Sequence, residues 1–547
     1  MVYNTPAGEL RASNPIRPMR KQIGIALLLT IAALSFRLFL ALRLPNDDDD
    51  DGRYYALIAR NVLNHNGYSG EEEEPFLPTL VRTPGYPLFL AGVYQVFGQD
   101  NNRAVRVIQA ALDTATCWLV ALLALYWSPV EWEAERRRRV MLWAFALAAV
   151  CPFTAIYVST ILTETPTMLL ATAFALAATP GLGSRTGIRQ ARAWMAAGIL
   201  GGVATMFRPD SALFVGGAGV ALMLISGSRV IARPRDVGGE RYLGRELART
   251  FGCGLLLVIG FTAVLTPWTV RNLRVFGIFQ PVAPLYANNP NEFAPVGYIA
   301  WLRTWVDDER YVVALEDGLD LHPLNVDEAP PYAFDLPEER ARVAELYERY
   351  NHFPAAGSIQ SEDADAGGDD GTSPEVDESE PEQFVRMTPD IDAEFAQIAR
   401  ERVARHPLRY YVGLPLRRAI SLWFDTHSEF YPFQGRLFPL ADLDVAAHQH
   451  YWLPAFAVVL LIYTLLAWCG AWVMWANAGS RRWLLLLLLL IVPRLAFLCS
   501  QEHPEGRYVV EFFPFVAAAG GIALSGFSLK SWRSRASEET NRSGEVR

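Results

Sequence analysis

Residues 23–63 read IGIALLLTIAALSFRLFLALRLPNDDDDDGRYYALIARNVL. The first half, Ile23 to Leu44, has the length and apolarity of a bilayer crossing, which takes roughly 20 residues. Arg17, Arg20 and Lys21 precede it, as in a secretory signal, but no small-residue cleavage site follows. It is therefore read as a retained spanning helix. The second half leaves the apolar run through Pro45 into five aspartates and then a tyrosine-bearing segment of helical period. Carboxylates placed there serve either to keep a loop in water or to do chemistry at the membrane surface.

The same kind of run recurs along the chain. Of the 547 residues, 51% are apolar or aromatic, and they are clumped. Candidate spans fall at about 23–43, 106–127, 140–158, 162–179, 193–207, 211–227, 250–267, 452–476, 483–499 and 509–527. The expected fold is an all-α polytopic membrane bundle of about ten helices, which excludes a string of soluble domains. Arginines concentrate in the short connections at 20–22, 135–139, 184–192, 228–249 and 480–483. By the positive-inside rule these are cytoplasmic, both termini are cytoplasmic, and the protein is a multi-pass plasma-membrane protein. The expected organisation is a tail 1–22, a membrane core 23–277 with a first external loop 44–105, an external region 278–450, membrane helices 451–527 and a tail 528–547.

Formal net charge is −9, with acidic residues massed at 47–74 and 361–382. The stretch 361–382 is poor in apolar residues and reads as a disordered insert. Residues 390–426 are amphipathic, and their second half is expected to lie on the membrane surface. Lysine occurs only at Lys21 and Lys530, so the cationic groups are arginines. Cys117, Cys151, Cys253, Cys469 and Cys499 lie in or beside apolar runs without a C-x-x-C pair, which reads as buried thiols. No nucleic-acid partner is expected.

Several short external connections carry charges that a plain helical hairpin does not need. Asp51, four residues before Tyr55, stands at a helix start, where it caps backbone N–H groups or acts as a base; Asp50 is its fallback. Arg82 precedes the stretch TPGYPLFLAGVYQVFG and suits a phosphate clamp or a snorkelling role. Glu164 in TETP is an acid near membrane depth. Arg208 lies in MFRPD, Arg271 in TPWTVRNLRVFG, and Arg507 with Tyr508 in EHPEGRYVVEFFPF. His448 and His450 are two apart and read as interfacial histidines before a metal pair. A carboxylate among arginines on one membrane face suits a phosphate-bearing lipid substrate.

With those residues in view, the chain resembles the GT-C superfamily of integral-membrane glycosyltransferases. The nearest branch is that of the dolichyl-phosphate-mannose protein mannosyltransferases and aminoarabinose lipid A transferases. DGRYYALIARNVLNHNGYS with VRTPGYPLFLAGVYQVFG resembles the branch's first external loop, and ILTETP, TPWTVRNLRVFG and PEGRYVVEFFPF resemble later landmarks in order. The resemblance implies inverting transfer of a sugar from a polyprenyl phosphate to a lipid, glycan or protein acceptor on the external face. It implies a catalytic or metal-associated role for Asp51, a second acidic position at Glu164 and a donor-phosphate contact from Arg82. The shared charge pattern adds Arg271 and Arg507 as phosphate contacts, with Tyr55, Arg208 and Tyr508 as further candidates. Some relatives carry an acid just before the Arg82 position and hold a divalent metal; here that residue is Val81. The rival readings are a lipid transporter or flippase and a non-catalytic membrane scaffold. The transporter reading looks for charges at membrane depth, where Arg37 is the nearest case and is free to snorkel.

Overall fold

The computed structural model describes residues 16–45, 50–183, 187–231, 239–352, 387–424, 430–431, 435–437, 440–442 and 448–526. The acidic insert 361–382, Asp47 to Asp49 and both outer tails lie outside the described residues.

In hydrocarbon, every backbone N–H and C=O must be bonded within its own segment, so the apolar runs become helices. They are α1 (Ile16–Arg43), α4 (Asn102–Trp127), α5 (Ala134–Val150), α7 (Glu164–Leu182), α8 (Ile188–Phe207), α9 (Ala212–Ile231) and α10 (Gly239–Phe276). Near the C-terminal end come α16 (Leu453–Ala476), α17 (Arg481–Cys499) and α18 (Phe513–Leu524). Between α1 and α4 lie α2 (Asp50–Leu63) and α3 (Gly85–Phe97), and the short α6 (Pro152–Ala155) follows α5.

Among the described residues, eight helices are long and apolar enough to cross a membrane, or nine if a bent pair counts as one span. The pair is α5 with residues 152–158, bent by 55° at Pro152, whose ring nitrogen cannot continue the helix ladder. The tenth expected span, α8, has the length but not the apolarity: Arg189, Gln190 and Arg192 open it, and glycine and alanine fill it. Small residues suit its position between α7 and α10. A methyl group on Gly198 would lie 2.3 Å from the Leu257 carbonyl oxygen, and one on Gly260 would lie 2.7 Å from that of Met195. Here backbone touches backbone, as small-xxx-small helix pairs do in bilayers.

The helices run between two sets of loops. At one end the arginine-rich connections meet: Arg229 donates to the Leu182 carbonyl at 2.6 Å, Arg139 to the Ser525 carbonyl at 3.1 Å, and Ser480 to the Trp127 carbonyl at 2.8 Å. At the other end lie the starts of α2, α7 and α9 and the loop before α18.

Residues 296–352 and 387–405 hold a second core. Helices α11 (Val296–Leu302), α12 (Arg310–Val312), α13 (Pro337–Asn351) and α14 (Pro389–Arg405) enclose Tyr298, Trp301, Trp305, Val343, Tyr347 and Phe395. Arg402 seals its edge by bonding Glu339, with Asp335 at 3.4 Å. This compact unit was not visible in the sequence reading. Arg418 on α15 (Leu414–Phe424) fastens it to the bundle, donating to the carbonyls of Val306 (2.7 Å), Arg303 (2.8 Å) and Cys499 (3.4 Å). Leu408, Val412, Leu416, Ile420 and Phe424 remain exposed at a spacing of four, the apolar stripe expected of a helix lying on a membrane. The all-helix expectation needs one addition, a two-stranded antiparallel hairpin of Gly435–Leu437 (β1) and Leu440–Asp442 (β2).

Arg37 does not snorkel. It is fully buried, bonded to Asp113 at 2.5 Å, to the Ala148 and Ala149 carbonyls at 3.1 and 2.9 Å, and to the Cys117 sulfur at 3.2 Å. Asp113, absent from the sequence reading, supplies the counter-charge that makes this burial affordable. The sulfur contact, too, uses one of the expected buried thiols; Cys469 departs from that expectation and is exposed.

Candidate functional site

Residues 50–97 fold as the α2–α3 pair, joined by residues 64–84 with an isolated antiparallel bridge between Ser69 and Pro78. Asn61 pins this connection by donating to the carbonyls of Ser69 (3.0 Å) and Glu71 (2.8 Å). Gly85 opens α3 against the end of α8, where an added methyl would meet the Met206 carbonyl oxygen at 2.4 Å. That close approach sets the loop carrying Arg82 over the membrane end of the bundle.

Asp51 sits in the first turn of α2 and is about a quarter exposed. Its Oδ1 accepts from Arg82 Nη2 at 2.6 Å and its Oδ2 from Arg507 Nη2 at 3.1 Å. Arg507 in turn lies 2.5 Å from Glu505. Burial pushes the Asp51 carboxyl up, but Arg82 and Arg507 outweigh it and hold the group below its usual range. It is ionised at neutral pH. Tyr55, one turn along, packs edge-on against Tyr86, and Arg82 lies over its ring at 5.9 Å. Burial, then the neighbouring Asp51 charge, pushes the Tyr55 phenol up to about 12, so it keeps its proton.

Glu164 opens α7 and is buried. Its Oε1 accepts from Arg208 Nη1 at 2.7 Å, while its Oε2 is sealed from solvent without a hydrogen bond. Arg208 also lies 3.4 Å from Glu511 and 3.7 Å from Asp210. Arg494 closes the network, donating to Asp210 at 2.8 Å and Glu511 at 3.0 Å. Tyr508 joins the two groups of charges: Arg208 lies 5.2 Å and Arg507 5.4 Å from its ring centroid. Glu505, Asp210, Arg494 and Glu511 were missed from sequence. Their signal was present, since charged residues inside or beside apolar runs are costly and demand partners.

Two sequence candidates lie apart from this cluster. Asp50 is almost fully exposed and bonds Arg53, so it points away from the arginines that hold Asp51. Arg271 sits at the end of α10, donating to the Thr79 carbonyl at 2.8 Å and the Tyr68 carbonyl at 3.4 Å, among the rings of Tyr68, Trp268 and Phe276. Unlike Arg82, Arg208 and Arg507, it has no carboxylate partner among the described residues. It lines a cavity of about 670 Å³, otherwise mostly apolar, whose walls include Val62, Leu88, Met206, Val264 and Trp268. Tyr68, another residue not singled out from sequence, connects cavity and cluster: its hydroxyl donates to the Arg82 carbonyl at 3.0 Å.

A divalent metal at Asp51 does not fit these surroundings. Both carboxylate oxygens face guanidinium groups, position 81 is a valine, and Glu164 is taken up by Arg208.

No family model matches the chain, and no curated protein sequence matches it. Solved structures do. ArnT from Cupriavidus metallidurans in the apo state matches 92% of this chain and 78% of its own at 14% identity and a TM-score of 0.33. The same protein bound to undecaprenyl phosphate matches with 91% and 78% coverage, 14% identity and a TM-score of 0.34. The archaeal oligosaccharyltransferase AglB from Archaeoglobus fulgidus, in complex with an inhibitory peptide and a dolichol-phosphate, matches 94% of this chain but 51% of its own, at 13% identity and a TM-score of 0.41. Superpositions this loose carry no residue-level correspondence, and the chemistry of the site rests on its own geometry.

Proposed function

We propose that this chain is an integral-membrane glycosyltransferase that moves a sugar from a polyprenyl-phosphate donor to a lipid, glycan or protein acceptor. The observation that carries the reading is the pairing of Asp51, ionised between Arg82 and Arg507, with an apolar cavity, joined to Arg82 through Tyr68, that holds an arginine lacking a carboxylate partner among the described residues. A polyprenyl phosphate has the complementary form, an apolar chain ending in an anion. The chain occupies the cavity, and Arg271 is the first cation to meet the phosphate. The site faces the exterior of the plasma membrane, because the arginine-rich loops gather at the opposite end.

The reaction follows from competition for guanidinium groups. An entering phosphate draws Arg82 and Arg507 away from Asp51, since guanidinium binds phosphate in a bidentate way. Released from its partners, the Asp51 carboxylate becomes a stronger base. The acceptor hydroxyl then attacks the anomeric carbon from the face opposite the phosphate, and Asp51 takes its proton. The carbon–oxygen bond to phosphate breaks, the configuration inverts, and the arginines stabilise the departing polyprenyl phosphate. Glu164 acts at one remove. With Glu511 and Asp210 it fixes Arg208 beside Tyr508, and so supports Arg507.

The test incubates purified protein with a panel of polyprenyl-phosphate sugars and follows free polyprenyl phosphate. Release by wild type that collapses in Asp51→Asn supports both the activity and the base. Equal release by both keeps the transferase and removes Asp51 from the chemistry. No release with any donor sinks the reading. The transporter alternative draws on the Arg37–Asp113 pair inside the bundle, but five protein atoms bind that guanidinium, which suits a fixed staple. Movement of a labelled lipid across vesicles without sugar transfer is the result that favours it.

A further inference from the structure

A second constellation lies where the external unit meets the loop before α18. Glu316, Glu502 and His503 each offer a ligand atom, and these atoms all lie within 4.8 Å of one another. Glu316 comes from the external unit, in the turn Val313–Asp317, and the other two come from the loop that leads to Glu505 and Arg507. Glu316 Oε1 is 2.9 Å from His503 Nε2. Its other oxygen, Oε2, is sealed from solvent and has no hydrogen-bond partner. Glu502 is more than nine-tenths buried and is held in place by Arg303, which donates to Oε2 at 2.7 Å and to Gln501 at 3.3 Å.

An ion pair between His503 and Glu316 accounts for one carboxylate oxygen and leaves the other desolvated and unmatched, which is costly. A bound divalent ion, taking the place of the imidazolium proton, gives that oxygen a partner. We propose that Glu316, Glu502 and His503 form a site for a first-row transition ion, with Zn²⁺ the first to test. One imidazole with two carboxylates suits zinc, whereas Ca²⁺ and Mg²⁺ favour oxygen-only shells. Arg303 acts as the supporting group that orients Glu502 from outside the ligand set, a role such outer partners commonly take.

The ion is not part of the reacting group. It ties the external unit to the loop that places Arg507 on Asp51, two residues beyond Glu505 in sequence. It is thus a positioning metal, distinct from any ion at Asp51, where the arginines leave no room for one. The inference stands independently of the transferase reading, because metal content reports it directly.

The experiment strips the purified full-length protein with chelator, dialyses it against buffered Zn²⁺ and measures zinc per chain. One equivalent is expected for wild type, for Asp51→Asn and for His450→Ala. Glu316→Gln and His503→Ala should each weaken binding by more than about 100-fold, beyond the 10–100-fold that follows loss of a supporting group. No zinc on wild type, full retention by both ligand variants, or loss in Asp51→Asn overturns the proposal. X-ray absorption on the wild type guards against variants that misfold. It should show an imidazole nitrogen at about 2.0–2.1 Å with oxygen neighbours. Sulfur in the shell, or no imidazole, overturns the proposal as well.

Discussion

Asp51 and Glu164 are the two carboxylates that sequence placed at the external end of the bundle, and the structure treats them differently. Asp51 is partly open to solvent and lies between two arginines, one of which, Arg82, is tied through its carbonyl to Tyr68 in the cavity wall. Glu164 is buried, spends one oxygen on Arg208, and belongs to a closed network with Asp210, Arg494 and Glu511. A group that exchanges protons with a substrate must be reachable and must have partners that a substrate can displace. A group that holds a scaffold must be neither. That contrast is why we propose chemistry for the first and support for the second.

The largest effect that would break this comparison is on turnover. Asp51→Asn keeps the shape but removes the base, and should lower turnover by about 10²–10⁴-fold, read as polyprenyl phosphate release. Glu164→Gln should act first on stability. Breaking a buried ion pair costs about 3–5 kcal/mol, and the low end applies because Arg208 keeps Glu511 and Asp210. Thermal unfolding in detergent measures this. A variant of unchanged stability with turnover lost as deeply as in Asp51→Asn would reverse the two assignments.

Arg271→Ala sharpens the contrast from the substrate side. Losing a charged hydrogen bond of about 1.5–3 kcal/mol should raise the donor KM by about 10–100-fold and leave kcat nearer to wild type. The pH profile gives a subtler effect. The arginines lower the Asp51 pKa in the folded state, so Asp51 contributes stability that is full above the unfolded value near about 4 and is lost as pH falls through the folded one. The acid limb of kcat/KM should lie below that value in wild type and shift upward in Arg507→Gln, which removes one of the two lowering charges. The smallest effect is expected from Asp50→Asn. Its side chain is almost fully exposed on the far side of the helix start, and activity should stay within about twofold.

Legibility in the sequence followed physical cost. Spanning helices were readable because hydrocarbon demands runs of about 20 apolar residues, and eight of the ten expected runs meet that test as single helices. The 140–158 run was legible as apolar, but Pro152 inside it, which marks the 55° bend, was passed over. The weakest run, α8, shows the limit of hydropathy. Its neighbours replace lipid, so small residues serve where apolar bulk was expected. Arg37 misled for the same reason. Its partner Asp113 lies 76 positions away, and no local pattern links them.

The sequence by itself determined that this is a polytopic helical chain with an arginine-rich end and an end bearing Asp51, Arg82, Glu164, Arg208, Arg271 and Arg507. Those facts are local, because each follows from composition and charge within a window of one helix or one loop. Only the tertiary structure decided which charges meet. It joined Arg507 to Asp51 across 456 positions, set Arg271 at an apolar cavity with no carboxylate partner among the described residues, and brought Glu316 to His503. Pairing energy depends on distances of a few ångströms and on the water excluded between groups. Both are properties of the packed bundle and are not carried by any single segment.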